Sequence, residues 1–300
     1  MSAVPRIALV STRDALQRDD DLVPLEAALR AAGAAPAVVC WDDAAVDWGG
    51  FDTVLIRSTW DYTWRLPDFM DWAARVAART RLFNPLPLLR WNADKRYLRD
   101  LAGHGIATVP TQPVAPGEDA AAALDAARRH WPRQELVIKP SIGAGSRGAR
   151  RLRADDRDGQ QAHLHDLMAQ GRHALIQPYL GRVDIEGESA LLFFGGRFSH
   201  AIRKGPLLRT GAAPTRALFA PEHIQPRTPA ADELALAGRF LDALPRLLLD
   251  APPPLYARVD LLRDAAGTPC LIELELIEPS LFLDFAPGAA PRLVDALQRA

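Results

Sequence analysis

The chain has 300 residues, 48% of them apolar and 24% charged, with a net charge of −1. That length holds two or three subdomains and an ample core, and the near-zero charge excludes a global basic field for nucleic acid or an anionic membrane. Cys40 and Cys270 lie far apart, give no metal-ligand spacing, and read as buried thiols of a reducing compartment.

Arg6–Ser11 is a short apolar run, a buried parallel strand by pattern. It is too short for a secretory leader and no stretch approaches a membrane span, so a cytoplasmic protein is expected. A helix from Leu22 to Ala32 follows Asp19-Asp20-Asp21 and closes at Gly33. Strands are expected at Ala37–Trp41 and Thr53–Arg57, a helix over Pro67–Thr80, and a short strand into Phe83-Asn84-Pro85. This alternation predicts a small parallel sheet with functional loops at its strand C-termini. Beyond Trp91 come a helix over Asp94–Gly103, a strand at Thr108–Thr111 and a helix over Ala120–His130. Then follow a strand ending Val137-Ile138-Lys139-Pro140, a helix over Gln160–Gln170 and the strand-like Leu175–Leu180. Strands dominate the rest, at Ser189–Phe194, Arg197–Ile202, Tyr256–Leu262 and Pro269–Leu276. The polar stretch Gly205–Pro229 is long for a loop, which points to a lid. Pro252-Pro253-Pro254 reads as a stiff connector.

Lys and Arg total 36, yet only three are lysines: Lys95, Lys139 and Lys204. A compact ammonium suits a phosphate chain where arginine's planar fork does not. Lys139 directly precedes Ser141-Ile142-Gly143-Ala144-Gly145-Ser146-Arg147-Gly148, a loop whose glycines let backbone N–H groups turn toward an anion. It is neither a Walker A sequence nor the dinucleotide fingerprint. Near the C-terminus, Glu273 and Glu275 alternate within an apolar strand and share one face. Either that face is solvated, or a cation neutralises the pair. An oxygen-only set completed by Asp260 suits Mg²⁺, or Mn²⁺. Arg258 shares the face of Asp260 and is either a structural counter-ion or a stabiliser of transferring phosphoryl charge. Gln177-Pro178-Tyr179-Leu180 reads as a linker offering backbone groups to an adenine edge, and Asp184, Glu186 and Glu188 as acceptors for ribose or partners of arginines. Arg57, Ser58, Thr59, Trp60, Asp61 and Tyr62 end a strand and suit an amino acid-like ligand. There Arg57 would pair with a carboxylate and Asp61 with an ammonium; Trp60 and Tyr62 serve equally as packing. Arg203 is a second candidate for an anionic substrate group.

In this order and spacing the motifs resemble the ATP-grasp superfamily, which includes glutathione synthetase and D-alanine–D-alanine ligase, over about residues 84 to 285. Leu55–Tyr62 and Phe198–Lys204 look more narrowly like the branch that contains O-ureido-D-serine cyclo-ligase of D-cycloserine biosynthesis. The resemblance implies an α/β (α+β) ATP-grasp fold. A Rossmann-like N-terminal unit, 1–90, would precede two α+β subdomains, 91–180 and 181–300, that clamp ATP. It implies Lys95 and Lys139 on the α- and β-phosphates, with Ser141, Gly143, Gly145 and Ser146 in the loop. Lys204 would meet the γ-phosphate, Arg258 the transition state, and Asp260, Glu273 and Glu275 two Mg²⁺ ions. The superfamily commonly has asparagine at the position of Glu275, so a third carboxylate is a departure. The implied activity is phosphorylation of a small amino acid-like substrate and its ligation or cyclisation onto an amine. A glutathione- or peptide-type ligase and a non-catalytic ATP-binding regulator are the alternatives, and a homodimer is the default assembly.

Overall fold

The structure, a computed structural model, describes residues 4–215, 222–248 and 253–300. The first sheet is parallel, with β1 (Arg6–Ser11), β2 (Ala35–Cys40), β3 (Thr53–Ser58) and β4 (Arg81–Phe83) in the order β2-β1-β3-β4. Helices α1 (Leu22–Ala31) and α2 (Leu66–Ala77) cover its two faces. Alternate strand residues therefore meet different cores: Leu9 and Leu55 pack with Leu25 and Leu29, while Val10 and Ile56 pack with Phe69 and Trp72. This is the continuous apolar burial a parallel sheet requires.

Two short helices follow, α3 (Leu86–Asn92) and α4 (Tyr97–Gly103). The second sheet is antiparallel. It joins β5 (Gln112–Val114), β6 (Leu136–Pro140), β7 (Arg150–Leu152) and β8 (Ala174–Pro178) in the order β5-β8-β6-β7. Its helices are α5 (Ala120–His130) and α6 (Arg157–Ala169). Helix α5 has strong end signals. Asp119 accepts from the N–H groups of Ala121 and Ala122 at 2.9 and 3.2 Å, and Arg128, Arg129 and His130 occupy the last turn.

After the single turn α7 (Val183–Glu186) comes the third sheet. It joins β9 (Glu188–Phe194), β10 (Arg197–Lys204), β11 (Ile224–Arg227), β12 (Tyr256–Arg263) and β13 (Pro269–Glu275) in the antiparallel order β11-β10-β9-β12-β13. Helix α8 (Ala231–Leu247) covers one face with Leu236, Ala237, Phe240 and Leu244, and α9 (Ala289–Arg299) returns to pack on α1. The fold is thus an α/β architecture, a parallel sheet followed by two antiparallel ones.

Several elements differ from the sequence reading. Helices α3, α8 and α9 and strands β7 and β11 add to it, and Gly205–Pro229 is not one structureless loop, because β11 pairs with β10. Residues 216–221, part of the expected lid, lie outside the described residues, as does Pro252. The strand expected at Thr108–Thr111 starts at Gln112, and Thr108 instead bridges Leu271. Helix α4, counted with the central unit above, puts Tyr97, Leu98 and Leu101 into the core of the third sheet. Among the described residues no helix is long and apolar enough to cross a membrane.

Strand β13 is the edge of its sheet, and side chains from the chain's first third satisfy that edge. Asn92 Nδ2 donates to Leu274 O and Asn92 Oδ1 accepts from Leu276 N, both at 2.8 Å. Tyr97 Oη donates to Leu274 O and accepts from Leu274 N. The backbone of Ala107 and Val109 pairs with Leu271 at 2.9 Å. Asn84, fully buried, donates to Tyr256 O and Leu276 O at 2.9 and 2.8 Å and accepts from Leu255 N at 2.7 Å. We predict that Asn84→Ala, which orphans all three buried backbone groups, costs about 3 kcal/mol in urea denaturation. A loss below about 1 kcal/mol would show that water replaces the amide.

Candidate active site

Strands β12 and β13 pair so that Arg258 lies opposite Glu275 and Asp260 opposite Glu273. All four side chains therefore share one sheet face, as the alternation predicts. Beyond Asp260 the register slips, leaving Ile272 as the extra residue of a β-bulge. The bulge lets Ile272 and Glu273, adjacent in sequence, line the same cavity.

The charges on this face form a chain. Asp260, 1% exposed, accepts from Arg258 Nη2 at 2.9 Å and from Lys204 Nζ at 2.8 Å. Lys204 also donates to Glu188 at 2.7 Å, Arg258 also to Glu275, and Lys95 Nζ pairs with Glu273 at 3.0 Å. Burial works against every one of these charges. Even so, Arg258 and Lys204 hold Asp260 below the ordinary carboxylate range, and Lys95 and Lys139 hold Glu273 down. Burial wins at Glu188 and Glu275, whose carboxyls are pushed up. Glu278, buried at 6% exposure, is raised by its burial and by Glu275. Lys139 differs from the other cations: its ammonium has no hydrogen bond or ion pair with a described residue, and burial lowers it to about 8.

Two adjoining cavities share this face. One, of about 140 Å³, is apolar at Val109, Val137, Leu180 and Ile272, with Lys95, Lys139, Gly143 and Gly145 around it. The second, of about 310 Å³, is lined by Lys204, Arg258, Asp260, Trp60 and Glu278. Gly145, Ser146, Glu188 and Glu273 belong to both walls. Lys95 and Arg172 hold the glycine-rich loop through the carbonyls of Gly143 and Ile142. Arg147 ties the loop's far end to the first sheet, donating to Trp60 O at 2.9 Å and Thr63 Oγ1 at 2.8 Å and lying 4.0 Å over the Trp64 ring. Ser146 sits at φ +59° in that turn.

The structure brings Lys95, Lys139, Gly143, Gly145, Ser146, Gln177, Tyr179, Leu180, Glu188, Lys204, Arg258, Asp260, Glu273 and Glu275 onto the two cavities. Others among the expected site residues point elsewhere. Ser141 is buried in neither wall. Asp184 is outside both, bonded to Tyr179 Oη at 2.6 Å and to Arg151 at 3.2 Å. Arg203 spends its guanidinium on the carbonyls of Glu186 and Ile185, at 2.6 and 2.8 Å, so it is not presented to a substrate.

The loop after β3 needs the largest correction. Arg57, 1% exposed, bonds Asp21 at 3.4 Å and Pro279 O at 3.1 Å. Ser58 bonds Ser11 at 2.8 Å, Thr59 is buried, and Asp61 takes Trp41 Nε1 at 3.0 Å and Arg65. Tyr62 packs on Phe69 with ring centroids 5.0 Å apart. Of the six, Trp60 alone reaches a cavity. Residues of the second cavity that the sequence reading did not single out include Arg18, Asp20, Glu222, Glu278 and Ser280.

The donor chemistry fits a hard divalent cation, since three carboxylates share one face and burial raises Glu275 and the neighbouring Glu278. Protein groups alone do not form a cage. Among the described residues no three His, Cys, Asp or Glu are arranged to hold a metal, because cations already occupy these carboxylates. Any ion here would need phosphate oxygens as well.

Solved structures define the class. D-alanine–D-alanine ligase from Bacillus anthracis, complexed with ATP, matches 99% of this chain and 97% of its own at a TM-score of 0.66 and 16% identity. The fold is that of the ATP-grasp ligases. The crystal structure of D-cycloserine synthetase DcsG matches at a TM-score of 0.90 with 40% identity, covering 98% of this chain and 99% of its own. The cycloserine biosynthesis protein DcsG of Streptomyces lavendulae is 40% identical over 295 residues, 97% of each chain. Residues 7–84 match the family of the D-cycloserine synthetase DcsG N-terminal domain. The chain belongs to the DcsG family and is an ATP-dependent ligase.

The state of Lys139 generates a prediction. Below pH about 8 its ammonium is charged before any polyanion arrives; above it, binding must take up a proton. ATP affinity should therefore fall as pH rises through that value, by at most about tenfold per pH unit. Calorimetry should find Lys139→Met weaker by about 2–5 kcal/mol at neutral pH and flat above it. A wild-type profile equally flat would remove Lys139 from the phosphate site.

Proposed function

We propose that this chain is an ATP- and Mg²⁺-dependent cyclo-ligase that activates the carboxylate of an O-ureido-D-serine-type substrate and closes it onto its own nitrogen. The observation that carries the reading is the match to the cycloserine biosynthesis protein DcsG along 97% of both chains. The site's charge supports it. Nucleotide and metal together supply a transferable phosphoryl group with its charge partly neutralised.

The chain's own residues do the rest. Val109, Val137, Leu180 and Ile272 offer an apolar slot for a base, and Lys95 and Lys139 face its phosphates. Asp260, Glu273 and Glu275 lie where they would share a cation with those phosphates. Lys204 and Arg258 line the second cavity. There they steady the phosphoryl oxygens as a substrate carboxylate oxygen attacks phosphorus and ADP leaves. The substrate nitrogen then attacks the activated carbonyl, and phosphate departs. A second cavity of about 310 Å³ favours a small substrate over a peptide. A cytoplasmic location fits a reaction fed by ATP.

A coupled ADP-release screen over amino acids and their O-ureido and aminooxy derivatives tests the assignment. Saturable release with O-ureido-D-serine alone is expected. Release only with pairs of amino acids would favour a glutathione- or peptide-type ligase, and none at all a non-catalytic role. Glu275→Asn removes one of the two carboxylates that Arg258 now holds. The variant should stay active with a changed Mg²⁺ and Mn²⁺ dependence. An unchanged dependence would leave Asp260 and Glu273 as the only ligands from the chain.

A further inference from the structure

Of the carboxylates lining the second cavity, Asp260 has Arg258 and Lys204, Glu188 has Lys204, Glu275 has Arg258 and Glu273 has Lys95, while Asp20 and Glu222 are exposed to solvent. Glu278 is buried, at 6% exposure, and among the described residues it has no ion pair; its carboxyl accepts from its own backbone N–H, and the charge of Lys95 acts on it only from beyond ion-pair distance. A buried carboxyl without a counter-ion is costly to keep unless a ligand completes it.

The segment that carries Glu278 is rigidly held. Glu278 O accepts from Trp60 Nε1 at 3.1 Å, Pro279 O from Arg57 at 3.1 Å, and Asp21 takes the N–H groups of Leu281 and Leu283. Such a fixed wall presents a carboxyl with little entropy left to lose. The cations Arg258 and Lys204 line the same cavity, and Arg258 Nη1 donates to Ser280 O at 3.3 Å, close along the chain to Glu278. A ligand in the cavity would meet both positive charge and a lone carboxyl.

We propose that Glu278 anchors the α-ammonium of a zwitterionic amino acid derivative whose carboxylate points toward Arg258 and Lys204. The cavity thereby selects α-amino substrates against their des-amino counterparts. The substrate contact assigned to Asp61 by the sequence moves to Glu278, because Asp61 is already taken by Trp41 and Arg65. The inference rests on the ligase reading for the direction of the carboxylate.

The test is calorimetry on the full chain saturated with a non-hydrolysable ATP analogue. The probes are O-ureido-D-serine and its des-amino analogue, 3-(ureidooxy)propanoate. Wild type should bind the zwitterion about 100-fold more tightly, as expected for a buried charge pair. Glu278→Gln should erase that preference and leave the affinity for the analogue and for ATP unchanged. Unchanged ATP affinity also certifies the fold. Glu278→Asp should retain part of the preference. The proposal is overturned if wild type does not discriminate, if Glu278→Gln still does, or if that variant weakens both probes alike. ADP release is followed in parallel. Glu278-dependent discrimination without ADP release would sink the ligase reading and leave the anchor standing; release with undiminished discrimination in Glu278→Gln would do the reverse.

Discussion

The clamp of Arg258 and Lys204 on Asp260 is the interaction the rest of the site depends on. It ties together three neighbouring strands, since Lys204 comes from the end of β10, Glu188 from the start of β9 and Arg258 and Asp260 from within β12. Removing Lys204 would strip Glu188, and removing Arg258 would strip Glu275, of its ion pair, and a partly buried charge left alone costs more than the pair contributes. The third sheet can carry so much charge on one face because each strand supplies the complement of its neighbour. Its other face is apolar and is covered by α8 and α4.

Two of the three lysines are thus already partnered, by Glu273 and by Asp260 with Glu188. A polyanion arriving here meets cations that must change partners rather than shed water. Lys139 is the exception and keeps an unpaired ammonium at the cavity wall. The described site thus holds two kinds of lysine, one without an ion pair and two whose charge already serves carboxylates.

Strand alternation made the charged face legible, because Arg258, Asp260, Glu273 and Glu275 need only a period of two and one register to converge. The parallel first sheet was legible from its apolar runs. What the sequence left hidden depends on tertiary partners. The loop Arg57–Tyr62 has the residue types of a binding loop, yet Asp21, Ser11, Trp41 and Arg65, some far away in the chain, claim its side chains. Glu278 breaks the alternation that marks Glu273 and Glu275, so no period points to it. Ile272 belongs to a bulge, and a bulge is a property of two strands together. Helix α8 carries a clear apolar stripe, Leu236, Ala237, Phe240 and Leu244, and was hidden only by the strands on either side of it.

The sealed margin of β13 has a consequence for how copies of this protein meet. An edge strand with free amides and carbonyls recruits another strand, and acidic residues on it would bridge through any divalent ion in solution. Here Asn92, Tyr97 and the 107–109 segment occupy the outward groups of Leu271, Leu274 and Leu276. The strand bearing Glu273 and Glu275 therefore has no margin left for a foreign chain to zip onto. The strand that carries two of the site's carboxylates is insulated from aggregation by two polar side chains and a short run of backbone.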